Sequence, residues 1–274
     1  MTVALGTIGI WQFTGQATPE LAAEVEKLGY GTVWIGGSPD GSLDQAEAVL
    51  DATERITVAT GIVNMWKDDA ATVAASFQRL ETRHPGRFLL GVGIGHREHT
   101  GDDYQNPYDK IVGYLDRLDD DGVPADRRVL AALGPRVLEL SAARAAGAHP
   151  YLTTPDHTAS ARKILGPDPL LAPEHKVVVD TDAERARGLG RKVVSRYLEL
   201  VNYRQNLLRF GFSEDDLADG GSDRLVDALA LHGDAETVAR GLRAHLEAGA
   251  DHISIQVLGR DLVPAYQALA EALQ

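Results

Sequence analysis

The segment Gly91–His96 reads Gly-Val-Gly-Ile-Gly-His and directly follows the apolar run Phe88–Leu90. Glycine has no Cβ, so a flat ring or a phosphate can approach the main chain closely there, and freed amide N–H groups can point at an anion. The apolar run is typical of a buried strand, which places the glycines where that strand passes into a loop. This spacing indicates a loop that binds a planar or phosphorylated ligand.

A second segment with the same potential is Ala145–Pro155. Its Gly147 and Ala148 bridge the end of a predicted helix to a short strand, and Thr153 and Thr154 stand before the proline that opens the next helix. The amino end of a helix carries partial positive charge and favours an anion. The start of this next helix is therefore where we expect a phosphate within the segment.

Groups that could exchange protons stand just beyond the strand ends. His96 and Glu98 follow the glycines, and a histidine near its reference pKa of ~6.5 can donate or accept a proton at neutral pH. Asn64 follows the third strand and can hydrogen-bond a bound ring. We take His96, Glu98 and Asn64 as candidate catalytic residues.

A metal-dependent hydrolase is an interpretation from a different class, because histidines and carboxylates are also metal ligands. The residues concerned are His96, His99, Asp102, Asp103, His149 and His157. Most of them crowd into the one loop after the fourth strand instead of converging from separate strands. We therefore predict no metal site.

Composition limits the remaining classes of function. The 274 residues suit one large domain, over residues 1–274, and no linker or change of composition divides them. The absence of cysteine excludes thiolate nucleophiles, disulfides and iron–sulfur clusters. A formal net charge of −13 disfavours nucleic acid and anionic membranes, and no apolar stretch is long enough to span a bilayer. We expect a cytoplasmic protein that acts on a small molecule.

Strands and helices alternate along the chain, which is typical of a parallel α/β fold. The predicted strands are Val3–Trp11, Gly31–Ile35, Ile56–Val63, Phe88–Gly95, Arg128–Leu133, Ala148–Leu152, Leu170–Asp180 and His252–Val257. One long helical stretch, Ala183–Phe210, follows the seventh strand as an insertion and leads into a polar loop. Eight strand–helix units predict a closed (β/α)8 TIM barrel with its site at the carboxyl ends of the strands, and an open sheet is the alternative.

The order of these motifs resembles the luciferase-like monooxygenase superfamily, and more specifically its deazaflavin-dependent oxidoreductases of actinobacteria. The likeness covers essentially the full chain, and its most specific stretch is Pro85–Gly95. Further matching stretches are Gly31–Ile35, Ala59–Val63, Leu133–Ser141, Ala146–Tyr151 and His232–Val238. The resemblance implies an oxidoreductase that transfers a hydride between the deazaflavin coenzyme F420 and a small organic substrate, with FMN as the competing cofactor.

The resemblance also implies where the cofactor lies. Its ring would rest on a bulge after strand three, which in relatives contains a non-proline cis peptide, and Gly61–Ile62 is the matching position. Its phosphate would be held by main chain around Ile94 and Ala148. The cofactor-binding residues expected on this basis are Gly61, Ile62, Val63, Asn64, Gly93, Ile94, Gly95, His96, Gly134, Gly147, Ala148, His149 and Thr153.

Two departures from better-defined relatives keep alternatives open. Gly37 and Ser38 stand where those relatives have an Asp-His pair after strand two, and His96 stands where they have a glutamate. Both changes remove expected acid–base groups. A barrel without catalysis therefore stays as an alternative. An FMN-dependent monooxygenase of the same fold is another, because FMN shares the tricyclic ring and the phosphate with the deazaflavin. The hydrophobic stretch Arg187–Phe212 predicts burial within the insertion of the barrel, a lid, or the face of a homodimer.

Overall fold

The structure is a computed structural model that describes residues 3–104 and 106–273. Its strands are β1 (Ile8–Phe13), β2 (Thr32–Gly36), β3 (Thr57–Gly61), β4 (Val63–Asn64), β5 (Phe88–Gly93), β6 (Arg128–Leu130), β7 (Gly147–Ala148), β8 (Leu170–Leu171), β9 (Glu174–Val179), β10 (Ala230–Gly233) and β11 (Ile253–Val257). Its α-helices are α1 (Pro19–Lys27), α2 (Asp44–Asp51), α3 (Ala70–Arg83), α4 (Arg97–Thr100), α5 (Pro107–Asp120), α6 (Pro135–Arg144), α7 (Pro155–Leu165), α8 (Ala183–Tyr197), α9 (Val201–Arg209), α10 (Glu214–Leu217), α11 (Asp223–Leu229), α12 (Ala235–Glu247) and α13 (Leu262–Leu273).

The strands form a curled parallel sheet in the order β10-β9-β11-β1-β2-β3-β5-β6-β7-β8, with β4 beside β5. The segment 170–179 shows the curl most clearly. The amide of Glu174 donates to the carbonyl of Pro150 just beyond β7, while Glu174 also pairs in register with Ser254 of β11. The predicted α/β class and its parallel sheet are confirmed.

Burial explains why these segments form strands. A parallel sheet covered by helices must be apolar on both faces, and all six positions of β5 are buried. Arg87, in the most specific stretch of the chain, anchors the start of this strand. Its guanidinium donates to the carbonyls of Thr53 and Ile56 at 2.9 and 3.1 Å, which holds β5 beside β3.

Helix caps agree with the sequence. The hydroxyl of Thr18 accepts the amide of Leu21 at 3.2 Å and precedes Pro19 in the first turn of α1. Thr154 caps α7 in the same way, through the amide of His157. A hydroxyl at this position satisfies a main-chain donor that lacks a partner within the helix.

The sequence prediction is wrong in the region after the predicted seventh strand. The predicted long helix is two helices, α8 and α9, and the predicted polar loop contains α10, α11 and β10. The polar residues around Gly220 hide a capped helix, because Ser222 accepts the amide of Leu225 and the apolar face of α11 is fully buried. Strand three is likewise divided into β3 and β4, and strand six is limited to Gly147–Ala148. Across the described ranges, no helix combines the length and apolar character needed to cross a membrane.

Candidate active site

A cavity of about 740 Å³ opens at the carboxyl ends of the strands. It is lined by Trp11, Phe13, Gly37, Ser38, Gly61, Ile62, Asn64, Ile94, Gly95, His96, His99, Tyr104, Ala131, Ala132, Leu133, Gly134, Val137, His149, Tyr151, Val193, Arg196, Tyr197, Glu199, Leu200, Asn202 and Tyr203. This volume falls within the range of small-molecule sites. A smaller cavity of about 300 Å³ lies at the opposite ends of β1 and β2, and Tyr30 is the one titratable side chain among its described lining residues. The larger cavity is therefore the candidate site.

The structure brings together eight of the thirteen predicted cofactor-binding residues around this cavity. They are Gly61, Ile62, Asn64, Ile94, Gly95, His96, Gly134 and His149. The other five do not line it: Val63, Gly93, Gly147, Ala148 and Thr153. Ile94, Gly95 and His96 of the loop after β5 thus face the cavity.

The bulge between β3 and β4 forms one wall of the cavity. The peptide bond between Gly61 and Ile62 is cis, as the resemblance implies. Gly93 stands behind this wall, because a Cβ there would lie 2.9 Å from the Ile62 side chain. Gly95 has a φ of +63°, and its missing Cβ leaves room for the amide of Asn64. Asn64 is held in turn by the amide of Trp66, which donates to its Oδ1 at 2.9 Å.

Helix α6 starts at the cavity. Gly134 is its N-cap residue, and both Gly134 and Val137 line the cavity. Because Gly134 has no side chain, the first turn of the helix is uncovered on that side, with open space where a Cβ would be. The partial positive charge of a helix start suits an anionic group. This turn is the position in the cavity most suited to a phosphate.

Gly147 and Ala148 do not form the second phosphate seat predicted for them. Both are buried in β7 and pair with β8, and a Cβ on Gly147 would lie 1.9 Å from the carbonyl oxygen of Leu170. Gly147 is required for the close approach of two strands. Thr153 is also buried, one residue before the cap of α7.

The three predicted catalytic residues have different surroundings. Glu98 is exposed, and its Oε1 accepts the amide of Val201 at 3.1 Å at the start of α9, so its carboxylate joins the loop after β5 to that helix. This hydrogen bond lowers the pKa of Glu98. His96 and Asn64 line the cavity. Burial lowers the pKa of His96, whose ring packs against His99 and Tyr203.

Helices α8 and α9 supply a wall of the cavity, although none of their residues is among the predicted catalytic or cofactor-binding residues. The rings of Tyr197 and Tyr203 pack edge to face with their centroids 5.0 Å apart, and the ring centroids of Tyr197 and Tyr151 are 5.2 Å apart. Tyr151 in turn contacts Trp11. The apolar spacing of the stretch Arg187–Phe212 was the signal in the sequence for these two helices.

Buried histidines make stability depend on pH. Burial lowers the pKa of His149 to about 3 and those of His245 and His252 to about 4, and it places that of His175 well below its usual value. The unfolded chain takes up protons near pH 6.5 while the folded chain does not, so stability is complete above pH 6.5 and is lost as the pH falls towards 4. We expect the free energy of unfolding to fall by up to ~1.4 kcal/mol per pH unit for each of these histidines. Urea denaturation at pH 7, 6 and 5 measures this, and equal midpoints would contradict it.

Among the residues that the structure describes, no group of three or more histidines, aspartates and glutamates is arranged to hold a metal ion. His96 and His99 lie together at the cavity, whereas His157 hydrogen-bonds the carbonyl of Leu133 and packs against Phe210. His149 is held separately by the carbonyl of Ala172. The geometry therefore directs attention to organic ligands.

Comparisons with known proteins place this geometry among related folds. The family profile described as luciferase-like monooxygenase matches residues 2–120. A comparison with curated protein sequences gives no match. An F420-dependent secondary alcohol dehydrogenase, solved with an F420-acetone adduct, is similar with a TM-score of 0.78 and 17% identity over 100% of both chains.

Two further solved structures show the same fold. The coenzyme F420-dependent tetrahydromethanopterin reductase from Methanopyrus kandleri has a TM-score of 0.74 and 15% identity, over 98% of this chain and 99% of its own. The oxygenating constituent of 3,6-diketocamphane monooxygenase from Pseudomonas putida, in complex with FMN, has a TM-score of 0.68 and 18% identity, over 98% of this chain and 96% of its own. At these identities the likeness concerns the fold.

Proposed function

We propose that the chain is a luciferase-like oxidoreductase that binds a deazaflavin of the F420 type in the cavity and transfers a hydride between it and a small organic substrate. The family match over residues 2–120 and the fold shared with an F420-dependent secondary alcohol dehydrogenase support this proposal. The observation that carries this proposal is the cavity itself, which combines the bare main chain of Gly61, Gly95 and Gly134 with an aromatic wall. FMN is the alternative cofactor, because it shares the tricyclic ring and the phosphate.

The residues present fit such a molecule. The bulge at Gly61–Ile62 and the tyrosines of α8 and α9 both line the cavity and offer apolar surfaces for a planar ring. The start of α6 at Gly134 offers partial positive charge for a phosphate. Arg196 and Glu199 are the one basic and the one acidic side chain among the described lining residues, apart from the histidines, so most of the wall suits an uncharged ring.

When bound, the cofactor supplies the hydride chemistry, and the protein supplies orientation and proton transfer. Gly37 and Ser38 line the cavity without an acid–base group, so a proton must come from elsewhere. His96 has the position and the charge state for this role, because it lines the cavity, its lowered pKa keeps it neutral at pH 7, and it can accept a proton from a substrate hydroxyl. Glu98 keeps the loop of His96 against α9, which is a positioning role.

Several wider features belong to the same proposal. We take the curled sheet to be the closed (β/α)8 barrel of luciferase-like enzymes in a single domain, because segment 170–179 bonds to both β7 and β11. The enzyme would act on a small-molecule substrate, without nucleic acid or membrane, as a homodimer. Light scattering at micromolar concentration would test the dimer, and a monomeric mass would remove it.

Titration with the oxidised deazaflavin and with FMN, followed by fluorescence, tests the function. We expect the deazaflavin to bind more tightly, and we expect Gly93→Ala to weaken its binding about tenfold, because the added methyl group displaces Ile62 from the bulge. Gly113→Ala is the control, since nothing lies within 4 Å of a Cβ at that position on α5. Tighter binding of FMN would favour the monooxygenase alternative. Binding of neither would favour a barrel without redox catalysis.

A further inference from the structure

Two buried ring nitrogens meet beside Gly61 at the cavity. A Cβ on Gly61 would lie 2.6 Å from Nε1 of Trp11 and 3.0 Å from Nε2 of His149. Trp11 and His149 line the cavity, and each is 1% exposed. Within the described part of the chain, neither nitrogen has a hydrogen-bond partner. Buried polar groups without partners are costly and uncommon, so this pair needs an explanation.

The hydrogen bonds of His149 define what its free nitrogen can do. Nδ1 lies 2.7 Å from the carbonyl oxygen of Ala172, and a carbonyl only accepts, so Nδ1 carries the proton. The ring is also stacked on Trp34, with centroids 4.0 Å apart and planes 9° apart. Because burial keeps His149 neutral at pH 7, its Nε2 presents a lone pair in a fixed direction. Trp11 Nε1 is a donor only, so the two nitrogens are complementary.

A second tryptophan–histidine pair, Trp34 and His252, has the same groups but is closed, which means that its two ring nitrogens hydrogen-bond each other. His252 donates from Nδ1 to the carbonyl of Gly6 at 2.8 Å, as His149 does to Ala172. Its Nε2 accepts the indole N–H of Trp34 at 3.0 Å. Trp34 and His252 thus satisfy each other in the core, whereas Trp11 and His149 have the same groups and do not. The pair that lines the cavity is the one left open.

We propose that Trp11 Nε1 and His149 Nε2 together bind one polar group of a molecule held in the cavity, a group that accepts a hydrogen bond from the indole and donates one to the imidazole. A hydroxyl has this chemistry, and so does the adjoining C=O and N–H of a ring lactam. A substrate would supply the first and the pyrimidine edge of a flavin-type cofactor the second. This inference rests on the proposed function only in placing a ligand in the cavity.

The test compares two cavity variants with one matched control. Trp11→Phe removes the donor and His149→Asn removes the free acceptor, while an asparagine amide can still donate to Ala172. His252→Asn makes the histidine change in the closed pair, and Trp34 is left intact because its ring stacks on His149. We expect each cavity variant to weaken binding ~3- to 10-fold, as expected for one lost hydrogen bond, and the control variant to change stability without changing binding. The two cavity substitutions combined should add little beyond one of them.

Two kinds of probe distinguish the sources of the group. The first is the dissociation constant of the deazaflavin and of FMN. The second is the preference for benzyl alcohol over toluene, taken as the ratio of their dissociation constants. Calorimetry measures it on the cofactor-loaded protein, or on the protein alone if no cofactor binds. Weaker cofactor binding in the cavity variants assigns the group to the cofactor. Unchanged cofactor binding with a lost preference for benzyl alcohol assigns it to the substrate.

The inference is overturned if folded cavity variants bind every probe as the wild type does, in which case a buried water is the partner of the pair. If the wild type binds neither cofactor, the proposed function fails, and the preference for benzyl alcohol still decides the inference. A measurement on the wild type covers the case in which the variants do not fold. In protein with ¹⁵N-labelled histidine, the Nε2 signal of His149 must shift when a probe binds, and an unchanged signal counts against the pair.

Discussion

Gly147→Ala is expected to lower the free energy of unfolding by about 4 kcal/mol or more, which is at the upper end for a single substitution. The Cβ would lie 1.9 Å from the carbonyl oxygen of Leu170 and 2.6 Å from its carbonyl carbon and its amide nitrogen. These are main-chain atoms of the paired strand β8, so no side-chain rotation can relieve the contact. The strands must separate, and their hydrogen bonds are lost.

Urea denaturation followed by circular dichroism measures this effect, with Gly113→Ala as the matched control. Gly113 lies in α5 with open space around it, so alanine there should be neutral or stabilising by up to ~1 kcal/mol. An unfolding midpoint of Gly147→Ala equal to that of the wild type would show that β7 and β8 are not as close as described. A Gly147→Ala variant that folds but binds no cofactor would instead support the predicted role of Gly147 in binding the phosphate.

Glu174→Gln is expected to destabilise the protein by ~3–5 kcal/mol. Glu174 and Lys176 are both fully buried, and their side chains pair at 2.9 and 3.0 Å. Burial raises the pKa of Glu174 and lowers that of Lys176, so each group depends on the other to remain charged. Removing the carboxylate leaves an ammonium group inside the protein without its partner.

The double variant Glu174→Gln with Lys176→Met separates this loss from a general packing defect. It leaves no unpaired charge at this site, so we expect most of the lost stability to return, again measured by urea denaturation. The Nζ atom of Lys176 also lies 3.7 Å from the ring centroid of Tyr151, which lines the cavity. Ligand binding should therefore be weaker in the double variant than in the wild type. Equal stability of Glu174→Gln and the double variant would contradict the argument.

Local features of the chain could be predicted from sequence because they depend on residues close together along it. The caps at Thr18 and Thr154, the apolar strand β5 and the glycines that follow it are decided by side-chain chemistry and spacing. The resemblance added the bulge at Gly61–Ile62, which the structure has in the cis form. Helix α11 was missed because its apolar face is short and stands among glycines and aspartates, so its periodicity is weak.

The composition of the candidate site depended on contacts between distant segments, which spacing alone does not contain. Gly147 and Gly95 are both glycines near strand ends, yet Gly147 faces the main chain of Leu170 and Gly95 faces the cavity, since only strand pairing decides what lies opposite each. Glu98 stands near His96 in the chain, but the position of α9 directs its carboxylate to Val201. Trp11 lies in β1 and His149 directly follows β7, so the strands β2 to β6 stand between them in the sequence. The sequence by itself determined an α/β chain with glycine-rich loops at the carboxyl ends of the strands, and the curl of the sheet decided which polar atoms meet there without partners.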